Sequence, residues 1–125
     1  MTAAVMVRLG AGLMFLAVGL GAFGAHALKA RLSPDMLAIF ETGVKYQVYH
    51  ALGLLLLASL RGPSKAAWCF TAGIVLFSGS LYLLALTGVK KWGAVTPIGG
   101  VLFLIGWLIV LFSRQSGTVL DRLGL

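Results

Sequence analysis

A small set of polar and ionisable side chains lies within or beside long apolar stretches of this sequence, and these are its candidates for chemistry. They are His26, Glu41, Tyr46, His50, Ser78, Ser80 and Thr96. Ionisable groups are costly in hydrocarbon and often mark a ligand site or a proton pathway there. Because histidine changes its charge near neutral pH, the two histidines favour ligand or proton binding as the chemistry of such a site.

Two faces separate on the helix that carries most of these residues, since successive residues turn by about 100°. Glu41 and Lys45 have the i,i+4 orientation of an interfacial ion pair, but we favour a simple solvated or headgroup-level face at these positions. Tyr46 and His50 share a different face. Two interpretations of His50 stay open: a neutral histidine that bonds Tyr46 or a neighbouring helix, which we favour, or a ligand, proton or metal site.

Motifs of enzyme chemistry are missing or out of context. Residues 19–24, GLGAFG, match the glycine pattern of a dinucleotide-binding loop, but such a loop needs a preceding strand and a parallel sheet. The histidines and Cys69 lack metal-ligand spacing, and Ser78 and Ser80 lack the surroundings of a catalytic nucleophile. The sequence therefore predicts no metal and no cofactor, and it favours a protein without enzymatic activity.

The composition indicates which elements must position these side chains. Of the 125 residues, 60% are apolar and 10% are charged, and ten lysines and arginines against three acids give a net charge of +7. Soluble domains carry about 25% charged residues, so this chain has too few to cover a soluble core. Its cations are scattered in ones and twos, which argues against a nucleic-acid partner. The pattern is typical of an integral membrane protein.

The charge-free runs predict four membrane spans. Residues 9–28, 66–89 and 92–113 form runs of 20, 24 and 22 residues, and each exceeds the roughly 18 residues of a spanning helix. A fourth run, 46–60, is shorter, but Ser33, Pro34 and Asp35 form a helix-start signal before it. We therefore predict spans at 9–28, 40–60 (with the helix starting near residue 34), 66–89 and 92–113. Together they form one all-α domain over residues 1–125, an integral membrane four-helix bundle.

Basic residues divide almost evenly between the two ends of such a bundle. The end with both termini holds Arg8, Arg61, Lys65, Arg114 and Arg122, and the other end holds Lys29, Arg31, Lys45, Lys90 and Lys91. If Lys45 lies inside its helix, the count of five against four favours cytoplasmic termini. The candidate polar side chains gather towards the second end, where they would form a one-sided pocket.

Small residues recur every seven positions in the predicted spans. The stripes are Ala66, Gly73, Ser80 and Thr87, then Gly99, Gly106 and Ser113, and also Gly12 and Gly19. Such stripes let helix backbones approach closely in lipid, and a seven-residue period favours left-handed packing. The sequence therefore predicts a left-handed bundle with glycine-rich packing seams.

Five segments occur together in a distinctive order. They are residues 21–26 (GAFGAH), 42–50 (TGVKYQVYH), 76–82 (LFSGSLY), 96–100 (TPIGG) and 106–107 (GW). This combination resembles the YgdD/YwdK-like family of small bacterial membrane proteins over about residues 21–107. The resemblance implies a multi-pass, four-span protein of the bacterial inner membrane with no assigned biochemical role. It adds Thr42 and Gln47 to the motif positions, and Gln47 thereby joins the candidate pocket.

Two functional hypotheses follow. The first is a non-enzymatic bundle that binds membrane lipids, a partner membrane protein or a second copy of itself through its glycine stripes and basic rim. The alternative is transport or proton-coupled ligand binding through a pocket of His26, Tyr46 and His50. The presence or absence of a cavity that joins the two histidines distinguishes these hypotheses.

Overall fold

The computed structural model describes residues 1–114 and 123–124. Four helices follow one another through short connections: α1 is Ala3–Leu28, α2 is Pro34–Leu60, α3 is Ser64–Thr87 and α4 is Lys90–Phe112. The helix of α1 begins at Ala3 and includes Arg8, so it extends beyond the charge-free run that marks its apolar part. Arg122, which entered the count of basic residues, lies outside the described residues.

Local sequence signals determine where α2 begins and ends. The Oγ of Ser33 accepts a hydrogen bond from the backbone N–H of Met36 at 3.2 Å, which caps the first turn. Pro34 occupies that turn, where its missing N–H removes no helical hydrogen bond. At the other end, Arg61 adopts a left-handed conformation with φ of 52° and Gly62 follows it, so the chain leaves the helix there.

Two helices contain a wider π turn, Gly19–Gly24 in α1 and Ile74–Ser78 in α3. The glycines of the first turn are those that match a dinucleotide-binding loop, and their helical conformation is incompatible with such a loop. The second turn carries Phe77 and Ser78, which both contact α2. π turns are frequent at functional sites, and this one borders the site described below.

The α2 helix lies between its neighbours. It packs against α1 and α3, and α4 packs against α3. Near the end that holds the N-terminus, all four helices contribute to one apolar cluster of Met6, Leu54, Leu57, Ala58, Ala66, Ala67 and Phe70, against which Ile109 and Val110 pack. The outer faces of α1 and α4 remain largely exposed, as expected of helices that contact lipid.

Three of the four helices, α1, α3 and α4, are long and apolar enough to cross a membrane. The α2 helix has 27 residues, but it carries Glu41, Lys45, Gln47 and His50, which lower its hydropathy. Of these side chains, Gln47 and His50 are buried among the helices. The other helices therefore shield Gln47 and His50 from lipid, whereas Glu41 and Lys45 are exposed.

Several glycines lie where two helices approach each other closely. At Gly99 an added Cβ would collide with the backbone of Phe77, and at Gly106 it would lie 2.6 Å from the ring of Phe70. By contrast, an added Cβ at Gly12 would meet nothing within 4 Å. The absence of a side chain is thus required between α3 and α4 but not on the outer face of α1.

Candidate functional site

Both ring nitrogens of the buried His50 are engaged in hydrogen bonds. The indole N–H of Trp107 donates to Nε2 of His50 at 3.0 Å. Since an indole nitrogen only donates, Nε2 carries no proton, and the proton on Nδ1 is donated to the carbonyl of Tyr46 at 2.8 Å. The imidazole also stacks on Phe103, with ring centroids 3.5 Å apart and planes 8° apart. This is the geometry of a neutral, packed histidine bonded to its own helix and to a neighbouring one.

An aromatic cluster surrounds this histidine and joins α2, α3 and α4. The ring of Tyr46 lies 4.6 Å from that of Phe77 and 6.3 Å from that of Phe103, measured between centroids. The ring of Trp107 lies 4.6 Å from that of Phe70. Large rings thus fill the space between α2 and α4 on the inside, and the two helices meet mainly through these side chains.

An open groove of about 700 Å³ runs along the outer side of the cluster, and we call it the α2–α4 groove. Its lining residues are Tyr46, Tyr49, His50, Phe77, Pro97, Gly100, Val101, Phe103, Leu104 and Trp107. No charged side chain lines it, and six of the ten lining residues have an aromatic ring. Tyr46 and Tyr49 are 37% and 51% exposed. Their hydroxyls have no hydrogen-bond partner among residues 1–114 and 123–124.

Gln47 connects three helices from the buried side of α2. Its Nε2 donates to the carbonyl of Leu13 in α1 at 2.7 Å, and its Oε1 accepts a hydrogen bond from the hydroxyl of Tyr82 in α3 at 2.6 Å. The amide is 3% exposed. A buried amide needs partners for both ends, and the two neighbouring helices supply them. Gln47 therefore acts in helix association.

Ser78 and Ser80 of α3 bond to different helices. The Oγ of Ser78 donates to the carbonyl of Gly43 in α2 at 2.6 Å. The Oγ of Ser80 shares a hydrogen bond of 2.6 Å with Oγ1 of Thr96 in α4. Both serines are buried, and their bonds lie between the helices, although Ser80 also borders a second cavity. Interhelical bonds of this kind hold membrane helices together.

His26 and Glu41 lie apart from these contacts. Both side chains are exposed, and His26 stands in the last turn of α1. Within the described part of the chain, the ring of His26 makes no hydrogen bond or ring contact, and Glu41 makes no ion pair with Lys45. Exposed pairs often stay open because side-chain entropy offsets their Coulomb energy, and two exposed, unpaired side chains are compatible with the solvated face that we favour.

The structure thus divides the predicted pocket residues among three places. Tyr46 and His50 line the groove. Four residues join helices, namely Gln47, Ser78, Ser80 and Thr96. The remaining two, His26 and Glu41, are exposed.

Three aromatic residues of the site were not predicted from the sequence, namely Phe77, Phe103 and Trp107. Phe103 and Trp107 are spaced i,i+4 on α4, so they share a face and meet His50 together. That spacing was the available signal. The spacing does not show which neighbouring helix this aromatic face contacts, because the sequence of one helix does not determine how the next helix is rotated about its axis.

The chemistry available at the groove is binding. Its polar atoms are two phenol hydroxyls and a histidine whose nitrogens already have partners. In the described ranges, no three side chains of His, Cys, Asp or Glu come together in a way that could hold a metal ion. A groove with aromatic walls and a few hydrogen-bond donors is the arrangement by which proteins hold small apolar ligands.

Comparison with known proteins gives a consistent family assignment. A family model described as a protein of unknown function (DUF423) matches residues 20–100. The chain is 50% identical over 114 residues to a UPF0382 membrane protein of Staphylococcus epidermidis, covering 87% of this chain and 93% of that one. It is 47% identical over 116 residues to the UPF0382 membrane protein YwdK of Bacillus subtilis, covering 87% and 94%. No solved structure matches the chain.

Proposed function

Because the chain belongs to the family of proteins of unknown function DUF423 and its relatives are membrane proteins, we propose a role without catalysis: it binds a membrane lipid in the α2–α4 groove. The family resemblance drawn from the five sequence segments is confirmed, and so is the prediction of a membrane protein without an assigned biochemical role. Lipid binding is the part of the functional hypothesis that the geometry supports best.

The size and lining of the groove carry this proposal. Its volume of about 700 Å³ lies within the range of small-molecule sites, roughly 300–1,000 Å³, and its walls are apolar. It opens on the outside of the bundle, so an acyl chain can enter without leaving the hydrocarbon. Gly100 keeps the groove open, because an added Cβ there lies 3.8 Å from the ring of Phe77 and a longer side chain would project into the space.

We place the protein in the bacterial inner membrane with four crossings and both termini in the cytoplasm. The α2 helix would be the fourth span, since its 27 residues extend about 40 Å and its buried polar side chains are shielded by α1, α3 and α4. Lys45 lies inside α2, so the count of basic residues becomes five at the end with the termini against four at the other, which supports cytoplasmic termini.

The proposed packing is left-handed, with glycine seams between the helices. The close approaches at Gly99 and Gly106, seven residues apart on α4, support a seam against α3. Gly12 and Gly19 on α1 meet no neighbouring atom within 4 Å. They leave a close-packing face on which a partner membrane protein or a second copy of the chain would fit.

Native mass spectrometry of the protein extracted in a mild detergent tests lipid binding. We expect retained lipid on the wild-type protein, its loss in Gly100→Leu, and its retention in the matched control Gly12→Leu, whose new side chain points into open space. The same spectra report the oligomeric state. Equal retention by all three proteins, or bare protein in every case, would contradict the proposal. Thermal unfolding of each variant confirms that the comparison is made on folded protein.

The transport alternative finds less support in this geometry. It requires a cavity that joins His26 to His50, and His26 lines neither the α2–α4 groove nor the second cavity, which Tyr82 and Trp92 border. In addition, both nitrogens of His50 already have hydrogen-bond partners. Protonation of His50 at Nε2 would break the hydrogen bond that this nitrogen accepts from Trp107.

A further inference from the structure

The α2–α4 groove contains two hydrogen-bond donors that the protein itself leaves unused. Tyr46 and Tyr49 stand side by side, with ring centroids 5.7 Å apart, and both line the groove. Their hydroxyls find no partner in residues 1–114 and 123–124, whereas the third tyrosine of the chain, Tyr82, donates to Gln47. A saturated acyl chain offers no acceptor to these phenols, so the two hydroxyls favour a lipid whose groove-bound part also carries oxygen acceptors.

Two exposed rings offer the groove a face for stacking. Tyr46 and Trp107 are 37% and 39% exposed, whereas His50 and Phe103 stack on each other and are buried. The ring of Tyr46 is within 16° of parallel to that of Phe103, and the rings of Phe77 and Trp107 are tilted against this pair and His50. Exposed aromatic faces favour a flat, conjugated ligand, because offset stacking stabilises ring pairs beyond the area they bury.

The lack of charge in the groove lining distinguishes between charged and uncharged ligands. None of its lining residues is charged, so a phosphate headgroup or an organic cation would enter without a counter-charge. Uncharged ring ligands with oxygen acceptors avoid that cost and satisfy the two phenols. An apolar tail on such a ring would continue from the groove into the bilayer.

We propose that the ligand of the α2–α4 groove is an uncharged membrane quinone, held by stacking on the aromatic wall and by hydrogen bonds from Tyr46 and Tyr49 to its carbonyl oxygens. This inference rests on the proposed function, because it names the chemical class of the molecule that the groove binds. It concerns binding alone. The protein supplies two O–H donors and a flat apolar wall, and the quinone supplies two acceptors and a tail.

Titration with decylubiquinone, followed by tryptophan fluorescence, tests the inference. Trp107 lines the groove and serves as the reporter once Trp68 and Trp92 are replaced by phenylalanine, because quinones quench a nearby indole. We expect saturable quenching. Tyr46→Phe and Tyr49→Phe should each weaken binding by about threefold to tenfold through the loss of one hydrogen bond. Tyr82→Phe is the matched control, since its hydroxyl serves Gln47, and the affinity of its folded fraction should equal that of the wild type.

The outcomes distinguish this inference from the proposed function. If decylubiquinone fails to bind, or if decanol displaces it as well as unlabelled quinone does, the quinone inference is overturned, while Gly100-dependent lipid retention would leave the proposed function standing. If Tyr46→Phe and Tyr49→Phe bind decylubiquinone as tightly as Tyr82→Phe, the assigned hydrogen bonds are wrong and the inference falls. If Gly100→Leu changes neither the retention of lipid nor the affinity for decylubiquinone, both proposals fail together.

Discussion

The indole N–H of Trp107 reaches Nε2 of His50 across 3.0 Å, and this hydrogen bond joins α4 to α2 beneath an open groove. It assigns the imidazole to its neutral form with the proton on Nδ1, which bonds the carbonyl of Tyr46. The histidine that the sequence marks as a candidate proton site therefore works as a packing group. The space beside it, walled by rings and free of charge, is the feature that a ligand can use.

Replacing Trp107 by phenylalanine tests this hydrogen bond. The variant keeps an aromatic ring in the cluster but leaves Nε2 of the buried His50 without its donor, so we expect the free energy of unfolding to fall by about 1–2 kcal/mol. Unfolding in mixed detergent micelles measures it. Trp68→Phe is the matched control, because Trp68 is 59% exposed and its replacement should change little. Equal stability of the two variants would show that the bond contributes nothing.

Gln47→Leu should weaken the association of three helices. The substitution removes the bonds to the Leu13 carbonyl and the Tyr82 hydroxyl, and it leaves that buried hydroxyl without an acceptor. We expect a loss of about 1–3 kcal/mol in the free energy of unfolding. In the double variant with Tyr82→Phe, the loss should be less than the sum of the single losses, by about 0.6 kcal/mol for a typical interhelical bond. Additive losses would mean that the two side chains do not interact.

The helical architecture and the membrane character could be predicted from the sequence, and the division of the polar residues could not. Charge-free runs and the Ser33–Pro34 signal are local properties, so they indicate helices directly. The partner of each side chain depends on how neighbouring helices are rotated. The π turn at Ile74–Ser78 adds to the difficulty, because an extra residue in one turn shifts the faces that a regular 100° period assigns beyond it.

The polar candidates show this limit plainly. His26 and His50 are both histidines near one predicted end of the bundle, and the sequence treats them alike, yet the structure exposes one and buries the other. Gln47 entered the candidate set through the family resemblance alone, and it proves to connect α1, α2 and α3. The residue types thus indicated polar side chains with a role inside the bundle. They did not indicate whether a side chain contacts a ligand or forms a hydrogen bond to a neighbouring helix.

A pair of glycine substitutions tests the close approach of α3 and α4. In Gly99→Ala the new methyl group collides with the backbone of Phe77, which cannot rotate away, so we expect a loss of about 1–3 kcal/mol. In Gly12→Ala the methyl group meets open space, and the gain in helix propensity should leave stability unchanged or raise it by up to about 1 kcal/mol. Thermal unfolding of both variants in the same detergent provides the comparison. The opposite order of stability would place the close helix contact elsewhere.

The exposed acid of α2 should be dispensable for stability. Glu41 forms no ion pair with Lys45 in the described part of the chain, and its side chain is exposed. We therefore expect Glu41→Gln to change the free energy of unfolding by no more than about 0.5 kcal/mol, at low and at high salt alike. A larger loss that disappears in high salt would show that the ion pair forms in the membrane after all.

The central claim, that lipid occupies the α2–α4 groove, is tested most directly by crosslinking in the bilayer. A phospholipid with a diazirine in its acyl chain is incorporated at a low lipid-to-protein ratio, and crosslinked residues are mapped by peptide mass spectrometry. We expect more crosslinks at the groove residues Val101 and Leu104 than at Phe15, which is 79% exposed on α1, and we expect the groove crosslinks to be lost in Gly100→Leu. Crosslinks distributed evenly over all lipid-facing residues, and unchanged in Gly100→Leu, would contradict it.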